Sequence, residues 1–143
     1  MKSNLIIIFI SLILFSCKTY TISKASFKSQ FTKTKEMKDK EVVINNPLFL
    51  GNITYVANDI KSLNVIDKEG KNVNIPNTPS LEMRITHKNG TKYHFYFDTI
   101  TLENNVLKGS RSRFMPNLTR SIPFDSIAKI EVQEGGKDFH YQN

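Results

Sequence analysis

Three histidines, one cysteine and a cluster of basic residues are the side chains of this sequence best suited to ligation or reaction. His87 and His94 flank an Asn89-Gly90 turn signal, and His140 lies near the C-terminus. Metal ligands must converge on one point through bonds of roughly 2 Å. In the hairpin register argued below, His87 sits at a hairpin end and His94 faces away from the core, so no metal site is expected. The sequence has no His-Glu-x-x-His motif, no Gly-x-Ser-x-Gly elbow and no Gly-rich phosphate loop. Nothing singles out two carboxylates for glycoside hydrolysis. No catalytic residue and no cofactor are therefore expected. The better site candidate is a basic loop, in which Lys108, Arg111, Arg113 and Arg120 have no acidic residue among them. Such a loop suits an anionic lipid, a glycan or an acidic protein partner. Phe114-Met115-Pro116 within it either forms an exposed apolar tip or folds back over one end of the domain. If the loop serves interaction alone, changing Arg111 and Arg113 to Ser should leave folding intact.

Cys17 belongs to different chemistry. Lys2 gives a positive start, and Leu5 to Phe15 is an apolar run broken only by Ser11. That run has the length of a signal-peptide core and falls well short of the roughly 20 residues of a spanning helix. Leu14-Phe15-Ser16-Cys17 resembles the lipobox of bacterial lipoproteins: an aliphatic residue at −3, a small residue at −1 and then Cys. Phe15 is bulkier than the usual pattern prefers, a departure tolerated in Bacteroidota-like groups. The resemblance implies cleavage after residue 16, lipid on Cys17 and a membrane as partner. Cys17 is the only cysteine, so no internal disulfide can form. The alternative is an ordinary secretory signal followed by a chance Cys. Lys-Thr-Tyr-Thr follows Cys17 without the early acidic residues that resemble a surface-export signal, which favours a periplasm-facing protein.

The net charge of +7 does not point to nucleic acid, because of where it lies. Lys18 to Lys40 holds seven Lys against Glu36 and Asp39, whereas the chain from Glu41 onward has twelve basic and eleven acidic residues. The excess is therefore expected on a basic linker over 17–40. Beside a bilayer, each such charge is worth about 1 kcal/mol toward anionic head groups; a merely solvated linker is the alternative. Phe27 and Phe31, four apart, are compatible with a short helix there.

From residue 41 the sequence reads as strands. Glu41 to Asn45 ends at Asn46-Pro47, and Leu48 to Val56 is expected as the next strand, with Gly51 marking a bulge or a close backbone approach. Two hairpins then repeat each other with Gly70 over Gly90. A three-residue loop, Lys88-Asn89-Gly90 with Gly90 left-handed, pairs Ile85 with Tyr93 and Met83 with Phe95, giving one clean apolar face. The same loop at Lys68-Glu69-Gly70 pairs Val65 with Val73 and Leu63 with Ile75. This pairing makes Tyr93, Phe95 and Phe97 core residues rather than a base-stacking platform. A further hairpin turns at Glu103-Asn104-Asn105. Pro123 restricts Ser121 to Phe124 to an edge strand, and Gly135-Gly136 is expected to close a last hairpin pairing Val132 with Phe139.

The expectation is an all-β domain over 41–143, a small antiparallel barrel or sandwich of successive hairpins. It follows a signal peptide over 1–16 and a lipidated, flexible tether over 17–40. The segment from Ile122 through Val132 resembles the closing part of small, uncharacterised Bacteroidota-type lipoproteins, a resemblance that implies no activity. Asp98-Thr99-Ile100 and Asp125-Ser126-Ile127 also resemble an O-glycosylation acceptor of that group, and turn capping accounts for the second equally well. The function expected is non-catalytic binding or assembly in the cell envelope. The alternatives are a structural accessory without a ligand and a small hydrolase with an unrecognised site.

Overall fold

Thr19-Tyr20-Thr21-Ile22 is a four-residue strand, β1, with Ile22 buried. The computed structural model describes residues 18–33 and 39–142; Cys17 and the expected signal peptide lie outside the described residues. After β1 come helix α1 (Lys24–Lys33), then β2 (Lys40–Asn45), β3 (Asn52–Ala57), β4 (Ser62–Ile66) and β5 (Asn72–Pro76). The chain continues through β6 (Leu81–His87), β7 (Lys92–Tyr96), β8 (Thr101–Glu103), β9 (Val106–Ser110), β10 (Thr119–Pro123) and β11 (Ile127–Glu134). Strands dominate and every ladder is antiparallel. Six strands form one sheet in the order β5-β4-β1-β11-β6-β7, three form another in the order β10-β9-β8, and β2-β3 is a two-stranded ribbon. The architecture is sandwich-like, and no closed barrel ladder links the described strands.

The repeated hairpins have the register that apolar alternation demands. Ile85 pairs with Tyr93 and Met83 with Phe95, while Val65 pairs with Val73 and Leu63 with Ile75. Gly70 and Gly90 take φ of +81° and +85°, the left-handed region that closes a three-residue loop. A Cβ at Gly90 would meet nothing within 4 Å, so only the backbone resists substitution there. Gly90→Val should cost about 1–3 kcal/mol, read as a lowered urea midpoint at unchanged slope. The β8–β9 turn is a two-residue one, with Asn104 and Asn105 both at positive φ. Pro123 lies in β10, an edge strand as its missing N–H requires.

One apolar core joins the large sheet to the small one. Leu63, Val65, Met83, Ile85, Phe95, Ile130 and Val132 meet Ile100, Leu107 and Ile122. The tether expected over 17–40 needs correction here. β1 lies between β4 and β11, pairing Tyr20 with Val132 and Ile22 with Ile130. Ser23 caps α1 by accepting from the Ser26 N–H at 3.1 Å. Phe27 is buried, with Phe31 at 4.5 Å and Phe124 at 5.8 Å between ring centres. The Gln30 amide binds Asn64 in β4 twice, donating to its carbonyl at 3.0 Å and accepting from its N–H at 2.8 Å. Residues 19–33 thus belong to the fold, because a strand and two aromatic rings outweigh the lysines around them.

Two further expectations change. Residues 46–51 form the tip of the β2–β3 ribbon rather than the start of a strand, with Gly51 at φ +116°. The last hairpin does not form, because both edges of β11 are taken by β1 and β6. The C-terminal segment instead runs beside β2, where Tyr141 bridges to Ile44 and the Gln142 N–H donates to Val43 O at 2.8 Å. A second, smaller core results, built from Val42, Ile44, Tyr55, Ala57, Tyr96 and Phe139. On the outer face of the large sheet, Glu131 accepts from Arg84 at 3.0 Å and from Lys129 at 2.8 Å. The Arg84 hydrogen bond chiefly holds the Glu131 carboxyl below its ordinary range.

Candidate functional site

The basic loop expected over 108–120 is shorter than its composition suggests, since β9 runs to Ser110 and β10 begins at Thr119. Across its neck, the Arg111 N–H donates to Leu118 O at 3.0 Å. Within it, Arg113 turns inward and is 1 % exposed, which overturns its assignment to an exposed interaction face. Its Nη2 donates to Asp98 Oδ1 at 2.6 Å and to the carbonyl of Pro79. Its guanidinium lies over the Tyr96 ring at 4.1 Å and the Tyr55 ring at 4.7 Å. The acid missing from the loop itself is therefore Asp98, in the 3-10 turn Phe97–Thr99 that follows β7.

Asp98 is fully buried and also ties β3, the residues just after it and the C-terminal segment to this turn. Its Oδ2 accepts from the Tyr55 hydroxyl and, at 2.9 Å, from the Tyr141 hydroxyl. Its backbone carbonyl accepts from the Asn58 N–H at 2.6 Å. A buried charge survives where it is paired and its remaining lone pairs are used. Asp98 meets both conditions. Nε and Nη1 of Arg113 have no hydrogen-bond partner among the described residues, and the two aromatic faces are what surround them.

Burial, and then the Asp98 charge, push both the Tyr55 and Tyr141 phenols well above the ordinary tyrosine range. The folded chain keeps these protons where the unfolded chain releases them. Their stabilisation is complete below the unfolded value near 10 and declines as pH rises above it. For Tyr55 the decline is about 1.4 kcal/mol per pH unit; Tyr141 is partly exposed and adds less because water screens it. Tyr55→Phe should therefore flatten the fall in stability between about pH 10 and 11.5. An unchanged slope in urea titrations across that window would contradict this account.

The remaining loop residues do lie outside. Lys108, Arg111 and Arg120 are exposed, and the Arg120 guanidinium stacks 5.0 Å from the Tyr93 ring centre. Met115 is 59 % exposed beside exposed Leu118. Phe114 does part of each thing expected of it: it is 39 % exposed and leans on Phe139, with ring centres 6.1 Å apart. His94 and His140 are exposed, while His87 accepts from the Asn89 N–H through Nδ1 at 3.1 Å. Among the described residues no three His, Cys, Asp or Glu side chains converge as metal ligands would. The Thr99 hydroxyl of the first acceptor-like triplet is engaged, donating to Tyr96 O and accepting from Ser110 N. Ser126 of the second donates to Pro123 O at 2.6 Å rather than capping the turn.

A cleft of about 440 Å³ with mixed polar and apolar walls lies at the foot of the loop, and sequence reasoning had no means of finding it. Asp39, Glu41, Thr54, Thr99, Lys108 and Asn117 are among its walls, drawn from the ribbon, the small sheet and the loop. Burial, and then the nearby Glu103 charge, raise the Asp39 carboxyl above its ordinary value. Carboxylates, hydroxyls and one ammonium group around such a space can hold a small polar ligand through hydrogen bonds. No described helix is long and apolar enough to cross a membrane. No protein-family model, no curated protein and no solved structure matches this chain.

Proposed function

We propose that this chain is a lipoprotein of the bacterial cell envelope, of the Bacteroidota type, held at a membrane through lipid on Cys17. Its β domain acts as a non-catalytic binding or assembly module that faces the periplasm. The observation that carries the reading is the loop over 111–118 and its flanks. Arg113, buried against Asp98, fixes that loop from within, while Lys108, Arg111, Phe114, Met115 and Arg120 remain at least partly exposed. A surface held rigid before its partner arrives loses less entropy on binding. Basic groups beside an apolar tip suit an acidic envelope protein or an anionic lipid surface. The carboxylates, hydroxyls and ammonium group around the cleft beneath the loop favour a second reading, in which the ligand is a glycan.

The test is crosslinking in intact cells followed by recovery from membranes, with the wild type beside two variants. Cys17→Ser should lose incorporation of labelled palmitate. Arg111→Ser with Met115→Ser should keep both the label and the fold but lose the crosslinked partner. Recovery of glycan alone would favour the cleft. If the loop variant recovers the same partner as the wild type, the loop is not the binding surface.

A further inference from the structure

The ribbon tip at residues 46–51 presents apolar side chains that nothing among the described residues covers. Leu48 is 65 % exposed, Phe49 is 72 % exposed and Leu50 is fully exposed. Single exposed apolar residues need no explanation, but three in succession at the end of a projecting hairpin form a patch. From Val42 to Asn58 the sequence contains no charged residue at all. The backbone at the tip is also partly satisfied from within. Asn46 Oδ1 accepts from the N–H groups of Leu48 and Phe49 at 3.1 and 3.2 Å. Entering an apolar phase therefore requires no charge to be desolvated and leaves those two donors paired.

A short stretch of chain also links the base of the tip to the strand that follows Cys17. Only Lys18 separates Cys17 from β1, so the Cα of Cys17 can be no more than about 7 Å from that of Thr19. Thr19 pairs with Gln133. Five residues further on, the carbonyl of Asp138 accepts from the Asn45 side chain at the base of the tip, at 2.7 Å. Those five residues span at most about 18 Å.

We infer that the 46–51 tip inserts into the head-group region of a lipid bilayer and is a second membrane contact of this protein. It rests on the membrane-anchored reading above. The lipid attaches the domain; the tip orients it. A protein partner is the less favoured occupant, because a hairpin without charge offers it neither steering nor a polar rim.

The test uses the full chain in vesicles of phosphatidylethanolamine and phosphatidylglycerol. Acylation occupies Cys17, so Leu50→Cys provides one free thiol for an environment-sensitive fluorophore, and Lys92→Cys on exposed β7 provides the control. The residue 50 label should be quenched by nitroxide-bearing lipid and shielded from iodide, unlike the residue 92 label. In a Cys17→Ser background, replacing Leu48, Phe49 and Leu50 by Ser should lower vesicle partition by about 100-fold or more, and high salt should not reproduce that loss. If the lipidated chain floats with vesicles while both labels are equally open to iodide, insertion is overturned and the anchor stands. Shielding that appears only after envelope proteins are added also overturns it and assigns the tip to a protein. If no form floats, the anchor and the insertion both fall.

Discussion

Arg113→Ser is expected to destabilise the fold by about 3–5 kcal/mol, the usual cost of stranding one member of a buried ion pair. Asp98 would be left at zero exposure without its guanidinium partner, with only two phenol hydroxyls on one side of its carboxyl. The space between the Tyr55 and Tyr96 rings would also lose its filling. Domains of this size carry about 5–15 kcal/mol in total, so the loss is a large share of the whole. Arg111→Ser, two residues away and exposed, should move stability by no more than about 0.5 kcal/mol. Arg113→Lys should not rescue, since an ammonium cannot lie flat between two rings. Asp98→Asn combined with Arg113→Met should cost less than the sum of the single changes, because neither partner is then left charged. Urea midpoints of the wild type, these variants and the two single changes of the pair decide the matter. Equal midpoints for the Arg111 and Arg113 variants would mean that the buried centre holds nothing together.

That contrast marks what could be read from the sequence. Local patterns were legible. Gly70 and Gly90, with apolar residues alternating on either side, specify both loop length and register. Pro123 specifies an edge. What failed were inferences needing a partner distant in the chain. Arg113 reads as one of four unopposed cations because Asp98 lies fifteen residues upstream, where no local spacing connects them. Leu48 to Leu50 read as strand because apolar residues ordinarily seek a core; here nothing among the described residues covers them. Gly135-Gly136 reads as a hairpin turn, yet β11 already has a neighbour on each edge. β1 was hidden by composition. Thr-Tyr-Thr-Ile is a good strand sequence with a capping Ser after it, but the lysines around it suggest a solvated linker.

A chain that begins at Glu41 is expected not to fold, whereas one that begins at Lys18 should unfold cooperatively. Removing β1 withdraws a strand from the middle of the six-stranded sheet and leaves β4 and β11 with facing, unpaired edges. Unpaired backbone groups at a buried edge are costly, and exposed edges recruit other chains. The same cut removes Ile22 and Phe27 from the core and the Gln30 clasp from β4. Phe27→Ala alone should cost about 3–5 kcal/mol, since its ring is buried against Phe31 and Phe124. Thermal melts with near-ultraviolet dichroism separate the outcomes. The shorter chain should aggregate or show no transition, and a cooperative melt at the temperature of the longer chain would make β1 and α1 dispensable. The result also bears on the anchor. If β1 is integral, the lipid proposed on Cys17 would hold the sheet itself against the bilayer, because two residues of chain span no more than about 7 Å.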